Sequence, residues 1–485
     1  MFIHGLNLDW KRFVTYQTTE FMKNEIVPLR ELTPDIPVTT NLMGTYPGFD
    51  PWYLTKYVDV VSWDSYPDWH NDYESFADTA MKTAFLHDLN RSLKHKPFIL
   101  MESTPSQVNW QCVNKLKRPG VHELTSMQAV AHGSDSVQYF QWRKGRGASE
   151  KFHGAVVDHY GKEDTRVFQE VAKLGAELEK LNEIPGTYTK SDVALIYDWD
   201  NRWAIDDLQG LNDRRKYEET CKKHYQMFWE QGINVDVNTS EEEFTPYKLV
   251  VAPMLYLLKP GVAKRLKTYV KNGGTLVLTL LTGNVDQSDR CFLGGFPGDG
   301  LREVAGIWAE EIDPLYESDR NGLVLKTEHH TGYTKDRYEC MDFCEVIHPD
   351  PDTKILAEYE SDFYQGMAAV TEHMYGVGRC YYIAARTEES FLRDFYGNLT
   401  AKLELEKPPV AELPEGVSVT KRSGNEKDYY FIMNYSEKEC TISFAADFIG
   451  RRPVKLSDGM EVEKNMKLEK YGYLIVAVSS TSFLN

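Results

Sequence analysis

The chain has 485 residues, of which 42% are apolar and 26% charged, enough material for roughly two to four separately packed domains. A formal net charge of -18 with no long Lys/Arg run excludes nucleic acid and anionic membranes as partners, because both select a basic patch. No run of 18 or more apolar residues occurs, and FIHGLNLDWKRF after Met1 lacks the order of a secretory signal, so a soluble cytoplasmic protein is expected.

In chain order, short apolar runs alternate with helical stretches over residues 1–187, the pattern of parallel β/α units. Strands are predicted at 37–43 (PVTTNLM), 57–63 (YVDVVSW), 97–101 (PFILM) and 136–142 (SVQYFQW), with helices over 12–32, 72–93, 122–132 and 164–181. About four such units make half of an eight-unit barrel, so the expected fold is the C-terminal half of a (β/α)8 TIM barrel, with something upstream missing.

After the turn-rich NEIPGTYTKSD the alternation restarts over 188–405. DVALIYDWD, KLVVAPMLYLL and TLVLTLLTG read as strands, YEETCKKHYQMFWEQG and GVAKRLKTYVKNGG as helices with glycine stops, and GRCYYIAA as a closing strand. The expectation is a doubly wound α/β domain. Residues 406–485 carry alternating runs such as DYYFIMNYS and YGYLIVAVS and are expected to form a small antiparallel β-sandwich.

The seven cysteines, Cys112, Cys221, Cys291, Cys340, Cys344, Cys380 and Cys440, are odd in number and scattered, which suits reduced thiols. Cys340 and Cys344 with the upstream His329 and His330 admit a metal site, but without a second matched pair buried thiols are the better reading. Ten Trp and 29 Tyr suit sugar stacking and core packing equally.

In a β/α barrel the catalytic groups collect at the C-terminal ends of the strands. Here those ends carry Asn41, then Trp63-Asp64-Ser65-Tyr66-Pro67, then Glu102-Ser103-Thr104-Pro105, then Gln141-Trp142-Arg143. Glu102 stands out, because a carboxylate ending so apolar a strand is partly desolvated unless paired. Spacing alone leaves a catalytic Glu102 and a Glu102–Arg143 ion pair as equal alternatives. Trp110 in the next loop, and Glu150 with His153 in the loop after Trp142, supply the aromatic and polar groups that a pyranose ring needs. A metal at Glu150 and His153 would need further ligands at matching spacing, and the sequence shows none.

Taken together, NLDWKRFVTYQTTEFMKNEIVPLRE, DVVSWDSYPDW, FILMESTPSQVNWQ and YFQWRKGRGASEKFHGAVVDH resemble the barrel of glycoside hydrolase family 42. VAPMLYLLKPG, YVKNGGTLVLTLLTGNVDQSD and GGFPGDGLREVAGIWAEEIDPL resemble the second domain of that family, an amidotransferase-like fold used to form trimers, and the last region resembles its small β-domain. The resemblance implies a retaining β-galactosidase that acts on β-galactoside oligosaccharides as a homotrimer without a cofactor. It implies Glu102 as nucleophile, with Tyr66, Trp110, Glu150 and His153 lining the galactose subsite.

It further implies an acid/base Glu in an Asn-Glu pair at the end of the fourth barrel strand, which no residue here matches. The expectation is therefore a truncated enzyme, inactive alone, with a separately encoded N-terminal half as a candidate partner. Alternatives are a non-catalytic trimer-forming or galactoside-binding remnant, and an α-L-arabinopyranosidase. A working glutamine amidotransferase over 190–405 is disfavoured, since no cysteine there lies in a Gly-x-Cys-x-Gly setting.

Overall fold

The computed structural model describes residues 3–480. The chain opens with helix α1 (His4–Leu32), followed by strand β1 (Asn41–Leu42), β2 (Ser62–Asp64), β3 (Phe98–Glu102) and β4 (Ser134–Val137). These four strands lie side by side in chain order, all parallel. Each successive pair is linked by a crossover, the longest two being the helices Phe76–Ser92 and Val121–Ala131. The first of these starts at a reciprocal capping box, in which Ser75 and Asp78 satisfy each other's free backbone N–H groups. Its buried face shares one core with Phe98 and Leu100 of β3, His87 stacking on Phe98 at 5.7 Å, while Phe85 meets Tyr197 and Tyr225 of the second region.

The second region corrects the expectation of a purely doubly wound domain. Its core is parallel, the strands Val235–Asn238, Val193–Ile196, Leu249–Ala252, Thr275–Thr279 and Gly378–Ile383 being neighbours in that order. Beyond Gly378–Ile383 the same sheet continues antiparallel through Ala368–Tyr375, Lys354–Tyr359, Asn321–Leu325 and the long Arg337–Pro349 to Ile307–Pro314. The physical reason is burial. The parallel strands are covered on both faces and read as continuous apolar runs, whereas the strands of the antiparallel extension mix buried positions with charged and partly exposed ones and so lack that signature.

The last region folds as two antiparallel sheets, one of four strands built on Val417–Ser423, Lys427–Asn434 and Tyr473–Ser479, the other pairing Cys440–Ser443 with Asn465–Leu468. A five-residue helix, Ala446–Gly450, lies between them in sequence. Among the described residues no helix is long and apolar enough to cross a membrane.

Buried polar contacts join the regions. Arg422 of the last region is fully buried and donates to the carbonyls of Val130, Ser134 and Thr187 while pairing with Asp135 at 2.7 Å. Arg91, at the end of helix Phe76–Ser92, bridges Asp88 and Asp236 of the second region. Helix α1 docks on the second region through Arg12–Asp200 and His4–Asp289, each at 2.8 Å.

Candidate active site

The ends of β1, β2 and β3 bring three polar side chains together. The Asn41 amide nitrogen donates to Glu102 Oε1 at 3.0 Å and to both oxygens of Asp64 at 3.0 and 3.1 Å. Two residues past β2, the Tyr66 hydroxyl donates to Glu102 Oε2 at 2.8 Å. Glu102 is thus held through each of its oxygens by a neutral donor. The alternative in which it pairs with Arg143 does not occur among the described residues. The parallel order places β1 and β2, not the end of β4, on the side of β3 toward which the carboxylate turns.

Asp64 stands in register with Glu102 on the neighbouring strand. Its carboxyl is pushed up to about 6, chiefly by burial and further by the Glu102 charge, against the hydrogen bond from Asn41. Burial, the bond to Glu102 and the negative charges of Glu102, Asp64 and Glu150 together drive the Tyr66 hydroxyl far above its usual range, so it acts as a donor throughout the physiological span.

Aromatic rings form one wall beside this carboxylate. Trp110 lies edge-on to Tyr66 at 5.1 Å and stacks on His153 at 5.2 Å, and His153 also meets Tyr66 at 5.7 Å and Phe140 at 5.3 Å. Such a wall offers apolar ring faces to the C–H face of a sugar. Trp110 keeps 53% of its surface exposed, whereas His153 is fully buried. The Nδ1 of His153 bonds the Gly154 carbonyl at 3.1 Å, and its Nε2 is buried without a partner. Burial lowers the His153 pKa, which keeps the ring neutral. Glu150 is exposed at the rim, its carbonyl accepting the His153 N–H.

These groups stand on two loops tied to one another. Gly154 N–H donates to the Gln107 carbonyl at 2.8 Å, and Asn109 donates to the Ser149 carbonyl at 2.6 Å. Behind them the buried Lys117 ammonium donates to the Thr104 carbonyl at 2.6 Å, with burial lowering its pKa to about 8. The open cleft in front, about 670 Å³, is lined by Met43, Tyr46, Asp64, Tyr66, Glu102 and Trp110. That size suits a small ligand such as a sugar.

The structure therefore brings Tyr66, Glu102, Trp110 and His153 into contact, with Glu150 at the edge. Asn41 and Asp64 were visible in the sequence as polar strand ends but carried no role, because a neutral amide bridging two carboxyls leaves no spacing signal. Phe140 read as part of a strand and lies beyond the end of β4. Among the described residues no group of three or more His, Cys, Asp or Glu side chains could hold a metal ion. Cys340 and Cys344 are buried thiols on the strand Arg337–Pro349.

Three family models match the chain: beta-galactosidase over residues 1–181, beta-galactosidase trimerisation domain over 191–406, and beta-galactosidase C-terminal domain over 416–477. Beta-galactosidase Pbg of Clostridium perfringens is 50% identical over 482 residues, covering 98% of this chain and 68% of that protein. Beta-galactosidase BglY of Alicyclobacillus acidocaldarius is 53% identical over 435 residues, covering 90% of this chain and 63% of that protein. The solved structure of a catalytic mutant of Gan42B, a GH42 beta-galactosidase from G. stearothermophilus, superposes with a TM-score of 0.93 at 48% identity, covering 98% of this chain and 69% of that one.

The match over residues 1–181 corrects the reading of the first region as half a barrel whose catalytic counterpart is encoded elsewhere. That reading grew from a count of strands, and a strand count does not measure whether a chain carries a family's catalytic domain. The expectations of a truncated enzyme, of an inactive chain without its acid/base Glu and of a separately encoded N-terminal half rested on that count, whereas the beta-galactosidase model is matched within this same chain, which spans 68% of Pbg and 63% of BglY. The second region is likewise described by a trimerisation domain rather than an amidotransferase-like fold. With half its residues identical to a beta-galactosidase of which it spans 68%, and all three domain models in order, the chain belongs to glycoside hydrolase family 42.

Proposed function

We propose that the chain is a β-galactosidase that hydrolyses terminal non-reducing β-D-galactosides with retention, using Glu102 as nucleophile. The observation that carries this reading is the Glu102 carboxylate, held by Asn41 and Tyr66 in a cleft lined by Tyr66 and Trp110, with His153 stacked on Trp110. In a double displacement, one Glu102 oxygen attacks the anomeric carbon as the bond to the leaving oxygen breaks, and a carboxylic acid on the opposite face protonates that oxygen. Water then cleaves the glycosyl ester with a second inversion, returning Glu102 as carboxylate. The donors on Glu102 favour the carboxylate as it leaves in this second step. Trp110 supports one face of the sugar, His153 contributes to the subsite from its place on the Trp110 and Tyr66 rings, and Glu150 is an acceptor at the rim.

The similarity of residues 191–406 to a trimerisation domain supports a homotrimer. The seven free cysteines fit the reducing cytoplasm.

The decisive experiment is labelling with 2,4-dinitrophenyl 2-deoxy-2-fluoro-β-D-galactoside, whose leaving group departs without protonation, so the reaction reads the nucleophile alone. Mass spectrometry is expected to find one fluorogalactosyl group on the peptide containing Glu102, and none in Glu102→Gln. Labelling at another residue, or none, refutes the assignment.

A further inference from the structure

The Asn41 amide has two hydrogens, and both are committed to carboxyl groups. One goes to Glu102 on β3, and the other is shared between the two oxygens of Asp64 on β2. Asn41 is itself exposed at the end of a two-residue strand, so its amide has little packing to set its rotation, and the terminal torsion of Asn is intrinsically broad. What sets it is Asp64.

Asp64 is half-buried and forms no ion pair among the described residues. Two carboxyl groups sharing one amide, with no cation between them, is an arrangement a fold tolerates where it serves a site. The charged groups on the same cleft wall are Asp68, Glu74 and Lys82, and Lys82 is already engaged by Glu74. Burial raises the Asp64 pKa, and the Glu102 charge raises it further.

Asp64 stands beside Glu102, on the nucleophile's side of the cleft. A proton donor in a retaining pair works from the other face of the sugar, so Asp64 is misplaced for that work. The side chains of Asp64 and Glu102 form no hydrogen bond to each other and are bridged by Asn41. We propose that Asp64 is a positioning residue, which locks the Asn41 amide and thereby fixes the orientation in which the Glu102 carboxylate faces the anomeric carbon. This rests on the reading of Glu102 as nucleophile.

The test uses the same fluorinated galactoside on the full chain, with saturation kinetics separating the binding constant from the labelling rate. Asp64→Ala is expected to label Glu102 roughly 10- to 100-fold more slowly, the cost of a misplaced reacting group, with probe affinity within about threefold of the parent. Asp64→Asn, whose amide oxygen still accepts from Asn41, is expected to recover the rate to within about threefold. The double variant Asn41→Ala/Asp64→Ala is expected to lose no more than Asn41→Ala alone, since Asp64 acts through Asn41.

A wild-type rate in Asp64→Ala, a loss confined to affinity, or losses that add in the double variant would each overturn the positioning role while leaving Glu102 as nucleophile. Absence of label on Glu102 in the parent protein would overturn both readings. Circular dichroism on each variant checks the fold, and the Asn41→Ala comparison with Asp64→Asn carries the test should Asp64→Ala fail to fold: a slow Asn41→Ala beside a near-parental Asp64→Asn supports the proposal, and equal rates overturn it.

Discussion

Replacing Glu345 with Gln is expected to make the protein more stable in alkali and to leave it nearly unchanged in acid. Glu345 is 1% exposed, in the middle of the long strand Arg337–Pro349, and forms no ion pair among the described residues. Its oxygens accept from the Leu281 N–H and the Tyr382 hydroxyl, each at 2.7 Å. These two bonds only partly offset burial, and the carboxyl is pushed up from 4.5 to about 7. A folded pKa above the unfolded one means that the folded chain holds the proton more tightly. The resulting stabilisation is complete below about 4.5 and is lost as pH rises through about 7. At roughly 1.4 kcal/mol per unit, the loss amounts to about 3 kcal/mol. Glutamine keeps an acceptor for Leu281 and a partner for Tyr382 but does not titrate. Urea unfolding of parent and variant at pH 5 and pH 8.5 isolates this group, because every other titration is common to both. The variant is expected to match the parent at pH 5 and to exceed it by about 2–3 kcal/mol at pH 8.5. Parallel pH dependences of the two proteins would refute the argument.

Two further substitutions probe the scaffold of the site. A Cβ at Gly154 would stand 2.3 Å from Thr104 Oγ1 and 2.8 Å from the Gln107 carbonyl, so Gly154→Ala is expected to push apart the loops that carry Trp110 and His153. The Glu102 labelling rate should fall at least roughly tenfold with circular dichroism unchanged, and a parental rate would contradict the loop-tie account. Arg422→Met removes a fully buried guanidinium together with its bonds to Asp135 and to the carbonyls of Val130, Ser134, Ile184 and Thr187. It is expected to cost about 3–5 kcal/mol, seen as earlier urea unfolding and preferential proteolysis of the C-terminal region, whereas a cost under about 1 kcal/mol would show that water replaces the guanidinium there.

What the sequence made legible at the site was the strand end. PFILM followed at once by Glu102 marks an apolar strand that delivers a carboxylate to one face, and Trp63-Asp64 with Tyr66 repeats the pattern one strand earlier. The partners of Glu102 were less legible. A guanidinium at the end of the last strand made Arg143 the obvious counter-ion, yet the carboxylate turns toward Asn41 and Tyr66, neutral donors that no charge pattern announces. In the second region the parallel strands were visible because both faces are buried, and the antiparallel extension through Ile307–Pro314 was not, because its charged residues interrupt every apolar run. The count of strands in the first region was legible too, but it answered a question about topology and not about which domain the chain carries.

The division of labour along the β strands follows from where the buried charges lie. Asp88 accepts from Arg91 at 3.0 Å and from Tyr225 at 2.5 Å and meets His132 at 3.0 Å, and Arg91 continues to Asp236. Arg91 and His132 close the helices that lead into β3 and β4, so this network, shared with the second region, grips the N-terminal ends of the two strands. Arg422 adds a second clamp beside it, on the carbonyls of Val130 and Ser134. At the opposite ends stand Asp64, Glu102 and the two tied loops, where neutral donors take the place of the buried ion pairs. Charges that need stabilising partners are spent on holding the strands from below, and the one carboxylate that must remain reactive is left with neutral donors above. An arginine at the Glu102 end would have secured the fold more firmly there, and its charge-assisted bonds would have held the carboxylate more tightly than the neutral donors Asn41 and Tyr66 do, at the expense of the nucleophile the proposed reaction requires.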